Sequence, residues 1–173
     1  DLLACDDPEL DEIIISTCKV LMNHIIDNGY ILKDFTGKAT TWAKWNEEYF
    51  ASEFGWVDAC LNSAELLMYH LVTMEITGEQ GKWKESYDYL VNEKGYADLP
   101  EKHFDRLYQA TMSMGIEFVE DIMYGDHMLA TLSFWGLCTL ETNEELLKKY
   151  RYGYKAWRTS IEREHVPGYD LPY

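Results

Sequence analysis

The sequence predicts an all-α protein whose antiparallel helical hairpins form an array or a partial α/α toroid. Three observations carry that expectation. Apolar residues recur at three-and-four spacing almost throughout, no segment alternates convincingly as a strand, and one helix–turn–helix pattern occurs twice. Leu71-Val-Thr-Met-Glu75 is echoed by Leu137-Cys-Thr-Leu-Glu141. Beyond each, a very short turn leads to Trp83, Tyr87 and Leu90 or to Tyr150, Tyr154 and Trp157, matched in spacing and character. Short connections make consecutive helices antiparallel neighbours, and repeated hairpins bury their stripes against one another. Two unrelated amphipathic hairpins would share much of this likeness.

The first helix is expected over about 8–27, with Leu10, Ile13, Ile14, Cys18, Leu21, Ile25 and Ile26 on one face. Asp7 and Pro8 suit its start and Asn28-Gly29 its end. The second, 56–77, turns Val57, Cys60, Leu61, Ala64, Leu67, Met68 and Leu71 inward and stops at Gly78. The third, 80–94, carries Trp83, Tyr87, Leu90 and Val91, with Gly95 as its stop. Pro100 introduces the fourth, 101–124, which Gly115 interrupts. The fifth, 126–141, takes Asp126 as a helix N-cap. The sixth, 143–164, opens on a capping box of Thr142 and Glu145 and closes at Pro167-Gly168. Six helices make three hairpins, and residues 28–55 between the first two helices are left as an aromatic loop.

Composition bounds the rest. The 173 residues are 47% hydrophobic and 27% charged, a balance that fills one core. At this length roughly 70% of the unfolded surface can be buried, so residues 1–173 are expected to be a single domain. Fifteen Lys and Arg against 31 Asp and Glu leave a net charge of −16, which repels phosphate backbones and anionic lipid. Nucleic acid is therefore not expected as a partner. No apolar run approaches the roughly 18 residues of a membrane span, so membrane insertion is not expected either. The chain opens at Asp1, and a preceding segment is expected. Leu2-Leu3-Ala4-Cys5 has the form of a lipoprotein signal's end, but no basic segment or long apolar stretch precedes it, and chance is the expected explanation.

Chemistry is sought first in the aromatic loop. Asp34-Phe-Thr-Gly-Lys-Ala-Thr-Thr-Trp-Ala-Lys-Trp45 is followed by Tyr49, Phe50, Phe54 and Trp56. A loop this long inside a domain is functional or disordered, and its aromatic content argues against disorder. Indole and phenol faces stack on the C–H faces of sugars while Asp, Lys and Asn bind hydroxyls. The same aromatics could instead plug one end of the helical array. A second candidate is Glu117, Glu120, Asp121 and Tyr124 leading to Asp126-His127, although the three acids share the spacing of a solvated helix face. Acid/base cleavage of a sugar bond needs two carboxyls roughly 5–10 Å apart, and Asp34 with Asp126 is the pair that falls near hairpin ends. Glu65, mid-helix, is better placed to orient a neighbour than to attack.

Other chemistries lack their residues. His24 and His70 are expected at core edges, and His103 and His165 at exposed helix ends. Cys5, Cys18, Cys60 and Cys138 form no C-x-x-C pair, and no metal, nucleotide or nucleophile-elbow motif occurs. Asp6-Asp7-Pro-Glu-Leu-Asp11-Glu12 is N-terminal helix charge that complements the dipole. No metal and no cofactor are expected.

Asp34-x-x-Gly-Lys-x-Thr-x-Trp42, Leu61-Asn-Ser-Ala-Glu-Leu-Leu67, Thr77-Gly-Glu79 and Gly95-Tyr-Ala97 together resemble the helical-hairpin domains of bacterial carbohydrate-active proteins, the α/α-toroid, six-hairpin glycosidase-like class. The resemblance covers roughly residues 10–165, although three hairpins are half a complete ring. It implies an oligosaccharide or polysaccharide ligand and a periplasmic or extracellular setting. It also implies a site walled by Asp34, Lys38, Trp42, Asn62 and Glu65, with Asp126 and His127 opposite. Trp42, part of the resembled motif, is then expected to be structural, with Trp45 or Trp56 more exposed. Gly125-Asp126-His127 stands where a cluster of acids would be expected, which weakens a two-carboxylate hydrolase. The leading expectation is a carbohydrate-processing or carbohydrate-binding domain, glycoside hydrolase-like if active. The alternative is a non-catalytic protein-interaction module with an acidic surface.

Overall fold

The computed structural model describes residues 7–53, 55–102, 105, 112 and 124–161, with only the backbone of Tyr124 and Ser160. The chain is mostly helical. In order come α1 (Pro8–Asp27), β1 (Ile31–Lys33), β2 (Ala39–Lys44), α2 (Glu47–Phe50), α3 (Ala59–Thr77), α4 (Gly81–Asn92), a 3-10 turn (Tyr96–Asp98), α5 (Tyr124–Leu140) and α6 (Glu144–Ile161). Residues 99–102 begin a further helix. Glu117, Glu120, Asp121, Gly115, His103, His165 and Pro167-Gly168 lie outside the described residues.

Helix α3 is the hub. Ala59, Cys60, Leu61, Ala64, Leu66 and Leu67 are buried on it, together with the polar Asn62, Ser63, His70 and Thr73. A helix so apolar around its circumference is enclosed on several sides, and α1, α4, the 3-10 turn and α5 all pack on it. Its widest contact is with α5, where a Cβ on Gly136 would lie 2.6 Å from Met68 Cγ. In the next layer a Cβ on Gly153 of α6 would lie 2.6 Å from the Phe134 ring of α5. Two glycines thus set how closely three helices approach.

The helix ends follow local chemistry. Asp7 caps α1, accepting from the N–H groups of Glu9 and Leu10 at 3.1 and 3.3 Å ahead of Pro8. Gly78 ends α3 with φ +66°, a left-handed conformation that glycine adopts without Cβ strain. The start of α6 differs from the capping box expected at Thr142 and Glu145. Asn143 is the cap, its Oδ1 accepting from Glu145 and Leu146 N–H at 3.0 and 3.3 Å. Thr142 N–H instead donates to Glu141. Asp126 is not an N-cap either, since α5 begins at Tyr124 and Asp126 falls in its first turn.

Two further expectations are corrected. On α1 the buried side chains are Met22 and Ile25, while Ile13 and Leu21 are exposed. The covered stripe is rotated by about one residue; among the described elements α1 makes its main contact with α3 and buries the side that meets it. Residues 28–55 are not an irregular loop. They contain the antiparallel β1–β2 hairpin and α2, so the expectation of no strand fails. The second helix also begins at Ala59 rather than 56.

The duplicated aromatics occupy one core, as the repeat suggests. Trp83, Tyr87, Leu90, Tyr150 and Trp157 are buried, and the Tyr87 and Tyr150 hydroxyls meet at 2.7 Å between α4 and α6. Trp157 is 4% exposed and stands edge-on to the His127 ring, centroids 5.9 Å apart. Truncating Trp157 to Ala should lower unfolding free energy by about 3–5 kcal/mol through lost burial and the cavity left behind. Urea denaturation checks this; a loss under about 1 kcal/mol would contradict the packing described.

Candidate functional site

The hairpin is built from a recognisable turn. Asp34 C=O accepts from Gly37 N–H at 2.9 Å, Asp34 N–H donates to Lys38 C=O at 2.9 Å, and Gly37 sits at φ +82°. That is a short hairpin turn closed by a left-handed glycine. Asp34 Oδ1 accepts from Thr36 N–H, Thr36 Oγ1 and Lys38 N–H at 2.8, 2.6 and 3.1 Å. These bonds, that of the Thr36 hydroxyl first, hold its carboxyl below the usual aspartate range. Asp34 is thus held as an anion in its own turn.

The root of the hairpin is clamped from every side. Trp45 N–H donates to Tyr30 C=O at 2.8 Å, and Tyr30 N–H donates to Ile25 C=O at 2.8 Å. Trp45 Nε1 donates to Glu65 at 2.7 Å, Asn62 Nδ2 to Lys44 C=O at 2.9 Å, and Tyr96 O–H to Trp45 C=O at 2.6 Å. Tyr69 O–H also donates to Glu65, at 2.6 Å, and its ring meets Trp45 edge-on. Of the residues expected to wall a site, Trp45, Asn62 and Glu65 therefore come together, but as an anchor. Trp45 is 3% exposed.

Behind the anchor runs a buried polar chain. His70 Nδ1 lies 2.8 Å from Leu66 C=O, His70 Nε2 lies 2.8 Å from Ser86 Oγ, and Ser86 Oγ lies 2.9 Å from Tyr30 O–H. A carbonyl only accepts, so Nδ1 carries the proton and Nε2 accepts from Ser86, which in turn accepts from Tyr30. Every group is satisfied with a neutral imidazole. Contrary to its expected place at a core edge, His70 is fully buried, and burial pulls it down to about 4.

The outer face of the hairpin presents the opposite character. Phe35 is fully exposed and Trp42 is 79% exposed. The expectation that Trp42 is structural and Trp45 exposed is inverted: Trp45 lies against α3, whereas Trp42 lies beyond it on β2. Trp56 is half-buried. A groove of about 500 Å³ flanks the hairpin between α1 and β1, lined by Val20, Leu21, His24, Leu32 and Lys33.

The remaining expected residues lie elsewhere. Asp126 is half-buried beside Asp58 and His127; burial first and the Asp58 charge second raise its carboxyl above the usual range. Asp34 shares none of those neighbours. His127 is buried against Trp157. A polar cavity of about 360 Å³ lies where the α3–α4 and α5–α6 connections meet, edged by Glu75, Lys84, Asp88 and Glu141. Sequence reasoning did not select it, although Glu75 and Glu141 are the repeated glutamates of the duplicated motif. Its polar groups bond inward. Glu141 accepts from Tyr87 O–H and from Thr142 and Asn143 N–H, and Lys84 pairs with Asp88 at 2.5 Å. Among the described residues no cluster of His, Cys, Asp and Glu could hold a metal, and no helix is long and apolar enough to cross a membrane.

No protein-family model, curated protein or solved structure matches this chain.

The depressed His70 fixes a pH signature. Between about pH 6.5 and 4 the unfolded chain binds a proton that folded His70 refuses, so this contribution is complete above 6.5 and declines as pH falls toward 4. The slope should approach 1.4 kcal/mol per pH unit and total roughly 3 kcal/mol. Urea midpoints across that range should show it in the wild type and lose it in His70→Gln; equal slopes in both would contradict the chain.

Proposed function

We propose that this protein is a non-catalytic carbohydrate-binding module, in which a helical body holds the 31–44 hairpin as its recognition element. The observation that carries the reading is Trp42, an indole left open on a ribbon whose root is locked to α3 and the 3-10 turn. Binding residues on segments positioned by a rigid scaffold are a recurrent arrangement. An open indole offers a flat face to sugar C–H groups. Thr41 and the lysines of the same ribbon provide short and long partners for hydroxyls. A catalytic pair finds less support, since Asp34 is spent on its own turn and Asp126 keeps different neighbours.

The pairing of α3 with α4 and of α5 with α6, across residues 78–80 and 141–143, supports placing the body among helical-hairpin arrays. That architecture accords with the resemblance to domains of bacterial carbohydrate-active proteins. The protein-interaction alternative draws on a separate observation, the exposed Ile13, Val20 and Leu21 of α1 beside the hairpin groove.

Binding to a panel of immobilised oligosaccharides tests the proposal. At least one glycan should bind the wild type, and Trp42→Ala should weaken that binding tenfold or more with a melting temperature within about 1 °C of wild type. Trp45→Ala should instead lower the melting temperature whether or not glycan is present, as expected when a packed side chain is removed. Binding indifferent to Trp42, or no glycan bound at all, would defeat the proposal.

A further inference from the structure

We infer that the saccharide this hairpin recognises is anionic, carrying uronate carboxylates or sulfate esters. The inference rests on the carbohydrate-binding reading above and is carried by where free positive charge lies. Residues 31–44 hold Lys33, Lys38 and Lys44 against the single acid Asp34, a net +2 in a chain of −16.

The state of these lysines matters more than their number. On the body, Lys19, Lys82, Lys84, Lys94, Lys148 and Lys149 each hold an acidic partner, whereas Lys102, Arg151 and Lys155 make no such pair among the described residues but are not gathered on one short ribbon. Among the described residues, none of the three hairpin lysines makes such a pair. Lys44 lies 5.5 Å over the Tyr49 ring, and Lys33 lines the groove against α1. In a protein with about two acids for every base, leaving three cations on one ribbon unpaired concentrates positive potential there. Among the described residues Asp34 pairs with none of them, and its Oδ1 is bonded within its own turn.

Trp42 and Lys44 are two residues apart on β2, in the stretch where its register against β1 is irregular. A saccharide held at the indole would lie on the same short ribbon as the three lysines. The acidic body does not forbid this. At about 0.1 M salt the screening length is roughly 10 Å, so body charge fades while direct contacts at the ribbon persist.

The test measures full-chain binding to tetragalacturonate, to its fully methyl-esterified form, and to sulfated and neutral tetrasaccharides of other backbones. An acidic glycan should bind at least tenfold more tightly than its uncharged counterpart, with affinity falling as salt rises. Lys33→Gln/Lys38→Gln/Lys44→Gln should erase that preference, and Trp42→Ala should weaken charged and uncharged forms alike. Equal binding of charged and uncharged forms, still dependent on Trp42, would overturn the anionic assignment and leave the carbohydrate reading standing. Binding of no saccharide in either form would overturn both. Capture of a DNA oligonucleotide or a polyglutamate peptide through the same lysines, in place of any saccharide, would also overturn both.

Discussion

The buried chain from Tyr30 through Ser86 to His70 governs how the helical body and the hairpin fit together. Polar groups withdrawn from water cost free energy unless each finds a partner; His70 Nδ1 finds one within α3, while His70 Nε2, Ser86 and Tyr30 find theirs only when hairpin root, α3 and α4 are assembled. The chain also holds Tyr30 at φ +63°, a left-handed conformation that costs a non-glycine residue about 1–3 kcal/mol. Gly29 before it is left-handed as well, so the backbone reverses sharply out of α1. That reversal, fixed by one hydroxyl and one imidazole, aims the ribbon.

The remaining contacts divide along the same line. Toward the body the ribbon ends in Trp45, with its ring, indole N–H, amide and carbonyl all engaged. Away from it, the turn bonds only to itself and the indole of Trp42 is open. A segment held this way loses little conformational freedom when a ligand arrives, which favours affinity. The Tyr87, Tyr150 and Glu141 cluster does comparable work deeper in the body, tying the α4 and α6 faces across the core.

Much of the helical frame was legible because it depends on local signals. Asp7-Pro8 and Gly78 fix ends through backbone geometry that a residue's own chemistry dictates, whereas Gly95, expected to stop the third helix, opens the 3-10 turn after a helix that ends at Asn92; the buried Trp83, Tyr87 and Trp157 sit on stripes that periodicity reveals. The hairpin was hidden for physical reasons. β1 has three residues, its register against β2 is irregular, and neither strand alternates cleanly between buried and exposed positions. The turn itself was readable, since Gly37 follows Asp34 at the spacing a short hairpin uses. Which indole points inward was not, because Trp42 and Trp45 differ only in their distance from Asn62 and Glu65, residues brought near by tertiary folding. The displaced cap of α6 has a similar origin: Glu141 takes the Thr142 amide, and Asn143 becomes the first side chain free to cap.

Native-state hydrogen exchange tests most directly the claim that a buried anchor holds an open ribbon. Amides exchange by local or global opening, and their protection ranks the stability of each segment. The Trp45 and Tyr30 amides should exchange nearly as slowly as those in the middle of α3, while the Thr36 amide at the turn exchanges orders of magnitude faster. In Ser86→Ala, protection at Trp45 should fall while the middle of α3 stays protected relative to the turn. Trp45 exchanging as fast as Thr36 in the wild type would mean the ribbon is not anchored, and would contradict the account.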